Sequence, residues 1–129
     1  MNQDVLPRYL ALQNGSDIRG IAIDSENGRA NLHPEEARSI TAAYTAFLAE
    51  KTGRRASELR IGVGHDSRLS ADSLTQAALE GFALAGARAY DCGMVSTPAM
   101  FLSTVLEGSR FDGALMFTAS HMPADRNGL

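Results

Sequence analysis

The strongest constraint on how this chain can fold is a repeated order in which short apolar runs alternate with helical stretches that carry their own start signals. The first helix opens at Pro34, where a missing N–H leaves no helical hydrogen bond unmade. Glu35 and Glu36 then complement the positive end of the helix dipole. Ala37, Ile40, Tyr44, Phe47 and Leu48 share one face at 3.6-residue spacing, and Gly53 suits a left-handed cap. The second helix has Ser70 as N-cap and Asp72 in its first turn. Its apolar face is Leu74, Ala77, Ala78, Phe82 and Ala85, and Gly86 stops it. The third has Thr97 as cap with Pro98 at N1, runs to about Leu106 and is closed by Gly108.

Strands are read at Ile21–Ile23, Leu59–Gly64, Ala87–Cys92 and Gly113–Phe117. Gly62 and Gly64 weaken the second of these but allow another element to approach its backbone closely. The first fourteen residues read as a polar, partly helical lead-in, Gly15–Gly20 as a loop, and Glu26-Asn27-Gly28-Arg29 as a turn. The order strand, helix, strand, helix, strand, helix, strand predicts a layered α/β/α domain. Its sheet should be mixed, mainly parallel, and of about four strands, with right-handed crossovers.

Length and composition fit one globular domain over residues 1–129, with 44% hydrophobic and 21% charged residues. A formal net charge of −3 and the absence of a basic cluster interleaved with aromatics exclude a general nucleic-acid binder. Lys51 is the sole lysine among twelve basic residues. No apolar stretch approaches the ~20 residues of a membrane span, and no basic start precedes an apolar leader. The expectation is a soluble cytoplasmic protein. The lone Cys92 has no disulfide partner in the chain and reads as a small buried residue at a strand end.

In an open α/β sheet, ligands gather beyond the carboxyl ends of the strands. Two loops fall there: His65-Asp66-Ser67-Arg68 and Thr118-Ala119-Ser120-His121-Met122-Pro123. Ser120 and His121 set a hydroxyl beside an imidazole. They lack the Gly-x-Ser-x-Gly elbow of a hydrolase, and consecutive side chains rarely aim at one another. Asp66 and Arg68 can form an ion pair, or Arg68 can hold a phosphate with its planar fork. Asp17 and Arg19 present the same choice. His33, His65 and His121 are scattered, and no run of aspartates could seat a metal.

Four segments in order carry a resemblance. Gly15-Ser16-Asp17-Ile18-Arg19-Gly20, Val63-Gly64-His65-Asp66-Ser67-Arg68, Gly93 to Pro98, and Thr118 to Pro123 with Asn127-Gly128 resemble the N-terminal domain of the α-D-phosphohexomutases, the phosphoglucomutase/phosphomannomutase family. Two positions depart from the family pattern. Met122 stands where an asparagine is usual, and a thioether cannot replace an amide's hydrogen bonds. His65 replaces a common arginine, exchanging a permanent charge for a titrating one.

The resemblance implies that Ser120 carries a phosphoryl group and passes it to a hexose phosphate through a hexose 1,6-bisphosphate. Arg19 would give electrostatic support, and His121 would orient a hydroxyl or the phosphoserine. Arg68 and Asn127 would bind phosphate or brace the loop. Magnesium would bind an oxygen of the Ser120 phosphate. The partners implied are a hexose phosphate and the remaining domains of a larger enzyme, with no nucleic acid and no membrane. On this reading the chain is domain I alone, cut from its parent and inactive by itself. Ser16-Asp17-Ile18-Arg19 resembles the glucose/mannose branch more than the glucosamine form, although the sugar-selecting contacts would lie in later domains. The alternatives are a stand-alone phosphate-binding or regulatory domain and, less consistent with the missing elbow, a serine hydrolase.

Overall fold

The computed structural model describes residues 5–129. The part of the lead-in at residues 1–4 lies outside the described residues. The elements are α1 (Val5–Leu10), β1 (Gln13–Asn14), β2 (Asp17–Ile21), α2 (Pro34–Thr52), β3 (Arg60–His65), α3 (Ala71–Leu84), β4 (Arg88–Met94), α4 (Thr97–Leu102), β5 (Gly113–Phe117) and β6 (Arg126–Gly128). A single 3₁₀ turn at Ala56–Glu58 leads into β3. Among the described residues no helix is long and apolar enough to cross a membrane.

The layered α/β fold is present, with its strands divided between two sheets. β4, β3 and β5 form a parallel sheet with β3 in the centre. The first strand does not join it. Gly15–Gly20, expected as a loop, contains most of β2, which pairs antiparallel with β1 on one side and β6 on the other. Arg19 sits opposite Gly128, and Gly20 opposite Asn127. The second sheet therefore ties residue 19 to the far end of the chain.

Alternation along β3 sorts the two layers. Ile61 and Val63 are fully buried in the core with Leu59, Leu74, Ala78, Phe82 and Phe117, on the side of α2 and α3. Gly62 and Gly64 face the other way. A side chain at Gly64 would stand 2.7 Å from the Met100 sulfur, and one at Gly62 would meet the Phe111 ring. The two glycines thus let α4 and the segment after it lie directly on the sheet.

Helix α2 begins at Pro34 and ends in a left-handed Gly53 at φ 66°; of its expected apolar face Ala37 and Leu48 are buried and Ile40 and Tyr44 pack against the core, but two threonines are buried with them. Ala37, Thr41, Thr45 and Leu48 point inward, while Phe47 is 50% exposed. Thr41 and Thr45 are admitted because their hydroxyls donate to the Ala37 and Thr41 carbonyls at 2.9 and 3.0 Å. Each buried hydroxyl is thereby satisfied, and the small side chains allow α3 to approach closely. At the N-terminus the fully buried Glu36 accepts from the His33 N–H at 2.8 Å and pairs with Arg8.

Two helix boundaries differ from the expected ones. Ser96, not Thr97, caps α4 by accepting from Ala99 N–H at 3.3 Å, and regular helix stops at Leu102. Ser70 stands at the start of α3 without a side-chain capping bond. Cys92 is half-buried on the edge strand β4, and partial burial raises its thiol pKa.

Gly81 on α3 packs directly against α2. An added methyl would fall well inside contact distance of Thr41 Oγ1 and the Arg38 carbonyl. Alanine gains about 1 kcal/mol of helix propensity over glycine, whereas forcing a group into a packed interface costs about 1–3 kcal/mol. With backbone as the obstacle, the steric term wins. Gly81→Ala is expected to lower the unfolding free energy by about 1–2 kcal/mol in urea denaturation.

Candidate active site

β3 and β5 run side by side with His65 opposite Phe117, so their following loops emerge together. The Asp66 N–H donates to the Phe117 carbonyl at 3.0 Å and extends the pairing by one bond. Beyond this point lies the Ser120 loop.

Ser120 is exposed and adopts φ 54°, in the left-handed region that a non-glycine residue rarely occupies. Its N–H donates to Thr118 Oγ1 at 3.1 Å. Two residues on, Met122 N–H donates to the carbonyl of the fully buried Ala119 at 3.0 Å. This curl brings Ser120 Oγ to 3.3 Å from His121 Nδ1, overturning the expectation that the consecutive pair would diverge. Among the described residues no hydrogen bond reaches the other ring nitrogen of His121. The third group that orients the base of a nucleophilic dyad is therefore lacking there.

Arg68 spans the loop from beneath. Nη1 donates to the carbonyls of Pro123 and Arg126 at 2.7 and 2.9 Å, and Nη2 to those of Ser120 and Met122 at 3.0 and 2.9 Å. Its Nε faces Asp66 Oδ2 at 3.4 Å. With its terminal nitrogens committed to backbone oxygens, this guanidinium is arranged as a brace.

Asn127 is fully buried in β6. Its amide donates to Ser70 Oγ at 2.8 Å and its carbonyl oxygen accepts from Gly128 N–H at 2.8 Å. This explains why Ser70 makes no cap: its oxygen is turned toward Asn127. Asn127 therefore faces the packing between β6 and α3.

Arg19 reaches the loop from β2. Nη2 pairs with Asp17 Oδ2 at 3.1 Å, and Nη1 lies 3.5 Å from the Met122 sulfur. At Met122 the usual amide is thus replaced by a soft acceptor against a guanidinium. Arg19, Asp17, Ser16, Thr118 and Ser120 line an open groove of about 790 Å³. Ile40, Tyr44, Phe47 and Met116 add apolar side chains to its lining. The expected apolar face of α2 is accordingly split between the core and this groove. His65 is elsewhere: Nδ1 lies 2.7 Å from the Asp66 carbonyl, and Nε2 turns toward Asp72 of α3 at 4.0 Å. Among the described residues no three His, Cys, Asp or Glu side chains cluster as a metal site.

Asp125 was not anticipated. Its carboxylate accepts from Ser25 Oγ at 2.5 Å and from the Asn27 amide at 3.0 Å, while its carbonyl accepts from Ala22 N–H at 2.7 Å. The hydroxyl of Ser25, with the Asn27 amide, holds the Asp125 pKa below its ordinary value of 3.8. The only local signal was the turn chemistry of residues 26–29, and its partner lies about a hundred residues away.

Comparison with known proteins adds an independent observation. Residues 11–129 match the family model described as "Phosphoglucomutase/phosphomannomutase, alpha/beta/alpha domain I". A phosphomannomutase of Sinorhizobium fredii is 37% identical over 107 residues, covering 80% of this chain and 22% of that protein. A phosphoglucosamine mutase of Alkaliphilus metalliredigens is 34% identical over 119 residues, covering 89% of this chain and 23% of its own length. The crystal structure of a phosphoglucomutase/phosphomannomutase family protein from Burkholderia thailandensis superposes with a TM-score of 0.70 at 32% identity. That match covers 87% of this chain and 23% of that one. This chain thus spans less than a quarter of the length of these relatives.

Two outcomes follow from the bracing. Arg68→Lys keeps the charge but cannot reproduce a planar fork onto four carbonyls. It is expected to destabilise the protein by about 2–3 kcal/mol and to speed hydrogen exchange at the Met122 and Arg126 amides. For Asp125 the folded pKa lies below the unfolded one, so its stabilising contribution is complete above the ordinary carboxylate value. It is lost as pH falls through that value toward the folded one. Asp125→Asn should therefore flatten the fall in stability below about pH 4, measured by urea midpoints across the acid range.

Proposed function

The chain belongs to the phosphoglucomutase/phosphomannomutase family as its α/β/α domain I, and from that premise we propose that it is the phosphoserine-bearing part of a phosphohexomutase. Such an enzyme interconverts hexose 6-phosphates and hexose 1-phosphates, an isomerisation carried out by phosphoryl transfer. The observation that carries this reading is Ser120: an exposed hydroxyl at the tip of a braced loop, facing the same groove as Arg19.

In this reading phosphorylated Ser120 donates its phosphoryl group to the free hydroxyl of a hexose phosphate. The bond between phosphorus and Ser120 Oγ breaks as a bond to the sugar oxygen forms, giving a hexose 1,6-bisphosphate. The bisphosphate turns round and returns its other phosphoryl group to Ser120. Transfer of this kind needs in-line positioning and charge neutralisation more than covalent assistance. Arg19 is the cation of this chain suited to the second task, and its pairing with Asp17 keeps the guanidinium at the groove wall. His121, within hydrogen-bonding reach of Ser120 Oγ, orients that oxygen or exchanges a proton with the sugar hydroxyl.

The residues here fit magnesium only in part. An oxygen of the Ser120 phosphate would be one ligand, and further ligands would come from outside this chain. When bound, the ion would supply further charge neutralisation at that phosphate. The proposal likewise has the sugar held by domains beyond this one, in a cytoplasmic enzyme, and domain I inactive alone. Relatives named for mannose and for glucosamine match at 37% and 34% identity. The reading is therefore for hexose phosphates as a class.

Intact-mass analysis of the full-length protein after incubation with a hexose 1,6-bisphosphate tests the assignment. The wild type is expected to gain the mass of one phosphoryl group, and Ser120→Ala to gain none and lose mutase activity by several orders of magnitude. A phosphoryl group retained by the alanine variant would remove Ser120 from this role. The 129-residue chain alone is expected to show no turnover.

A further inference from the structure

We propose that Thr118, anchored by Asp66, is a positioning residue that holds the phosphoryl-carrying serine in its left-handed conformation. The inference rests on the reading of Ser120 as the carrier and names what sets that serine's geometry.

Two non-glycine residues among those described have positive φ, Arg110 and Ser120. A left-handed serine is disfavoured and persists only where its surroundings over-determine it. The Thr118 hydroxyl supplies that determination. It accepts the Ser120 N–H at 3.1 Å and donates to Asp66 Oδ2 at 2.9 Å. A carboxylate oxygen only accepts, so the Thr118 proton must point to Asp66, which leaves the hydroxyl lone pairs to Ser120. The direction of the relay is fixed.

Asp66 is in turn immobilised. Its N–H is bound to the Phe117 carbonyl, and Oδ1 accepts from the Arg68 N–H at 3.1 Å. Oδ2 also faces Arg68 Nε at 3.4 Å. The Thr118 backbone N–H donates to the Gly128 carbonyl at 3.0 Å. Thr118 is therefore tied to the parallel sheet by its hydroxyl, through Asp66, and to the antiparallel sheet by its backbone N–H, through Gly128. Its β-branched side chain restricts χ1 and keeps the oxygen in place.

Replacing that hydroxyl by a methyl preserves volume but leaves the Ser120 N–H without an acceptor and Asp66 Oδ2 without its donor. The backbone can then relax to an ordinary conformation and carry Oγ off the line of transfer. A displacement of about 1 Å can cost about 100-fold in rate.

The test compares Thr118→Val, Thr118→Ala and Thr118→Ser in the full-length protein. Activity is expressed per Ser120 that accepts a phosphoryl group from hexose 1,6-bisphosphate, so that misfolded material is not counted. The expected result is a fall in kcat of roughly 10- to 100-fold for valine and alanine, with KM for hexose phosphate within about twofold. Serine, which restores the hydroxyl, should lie within about fivefold of wild type. If valine or alanine turns over like wild type per phosphorylated serine, the inference fails. It also fails if serine loses as much as alanine, or if the loss is in KM alone. Should valine fail to fold, alanine carries the same expectation. If Ser120→Ala leaves the full-length enzyme active, the carrier reading fails and takes this inference with it.

Discussion

The guanidinium of Arg68, three residues beyond the end of the central strand, binds the carbonyls of Ser120, Met122, Pro123 and Arg126. Carbonyl dipoles that converge on one point repel unless a cation lies between them, and a planar, permanently charged fork can satisfy several at once. The side chain is 11% exposed, so these bonds face little competition from water. Because the chain is folded back over Arg68, it reaches Arg126 in position to pair with β2. That pairing brings Arg19 against Met122 and to the groove that Ser120 lines. A residue outside the groove thus sets which groups line it.

The resulting groove has a mixed lining. Arg19, Ser16 and Ser120 contribute charge and hydroxyls, and Ile40, Tyr44, Phe47 and Met116 contribute apolar surface. The loop is fastened at several points: Ala119 is buried, the Ser120 N–H is bound by Thr118, and Asp125 ties the far end to the turn at Ser25. The in-line transfer proposed for Ser120 would benefit from such preorganisation, since phosphoryl transfer leaves little covalent chemistry for a protein to perform.

What the sequence discloses about this fold follows the range of each interaction. The helices at Pro34 and Ser70 and the strands β3 and β5 are legible because periodicity, N1 proline and terminal glycine act within a few residues. The antiparallel sheet is not, since β6 is a three-residue polar strand whose partner lies more than a hundred positions away. Thr41 and Thr45 escape an apolar pattern because their hydroxyls are satisfied within the helix itself. Ser70 has the composition of a cap, and only its tertiary contact with Asn127 reveals another use. At the candidate site, the loop motifs single out Ser120, His121 and Arg19 by residue type, and the structure brings Ser120 and Arg19 to one groove. The choice of Arg68 between carboxylate, phosphate and carbonyl partners is decided by how the loop folds over it, which no local pattern encodes.

The central claim is that Ser120 is a phosphoryl carrier serving hexose phosphates. It is tested most directly by following the phosphoryl group itself through one turnover. The full-length protein, carrying labelled phosphate on Ser120, would be mixed with unlabelled hexose phosphate and quenched at short times. The label is expected to leave the protein and appear in hexose bisphosphate and then in hexose monophosphate, at a rate no slower than kcat. Label that remains on the protein while hexose phosphates interconvert would contradict it.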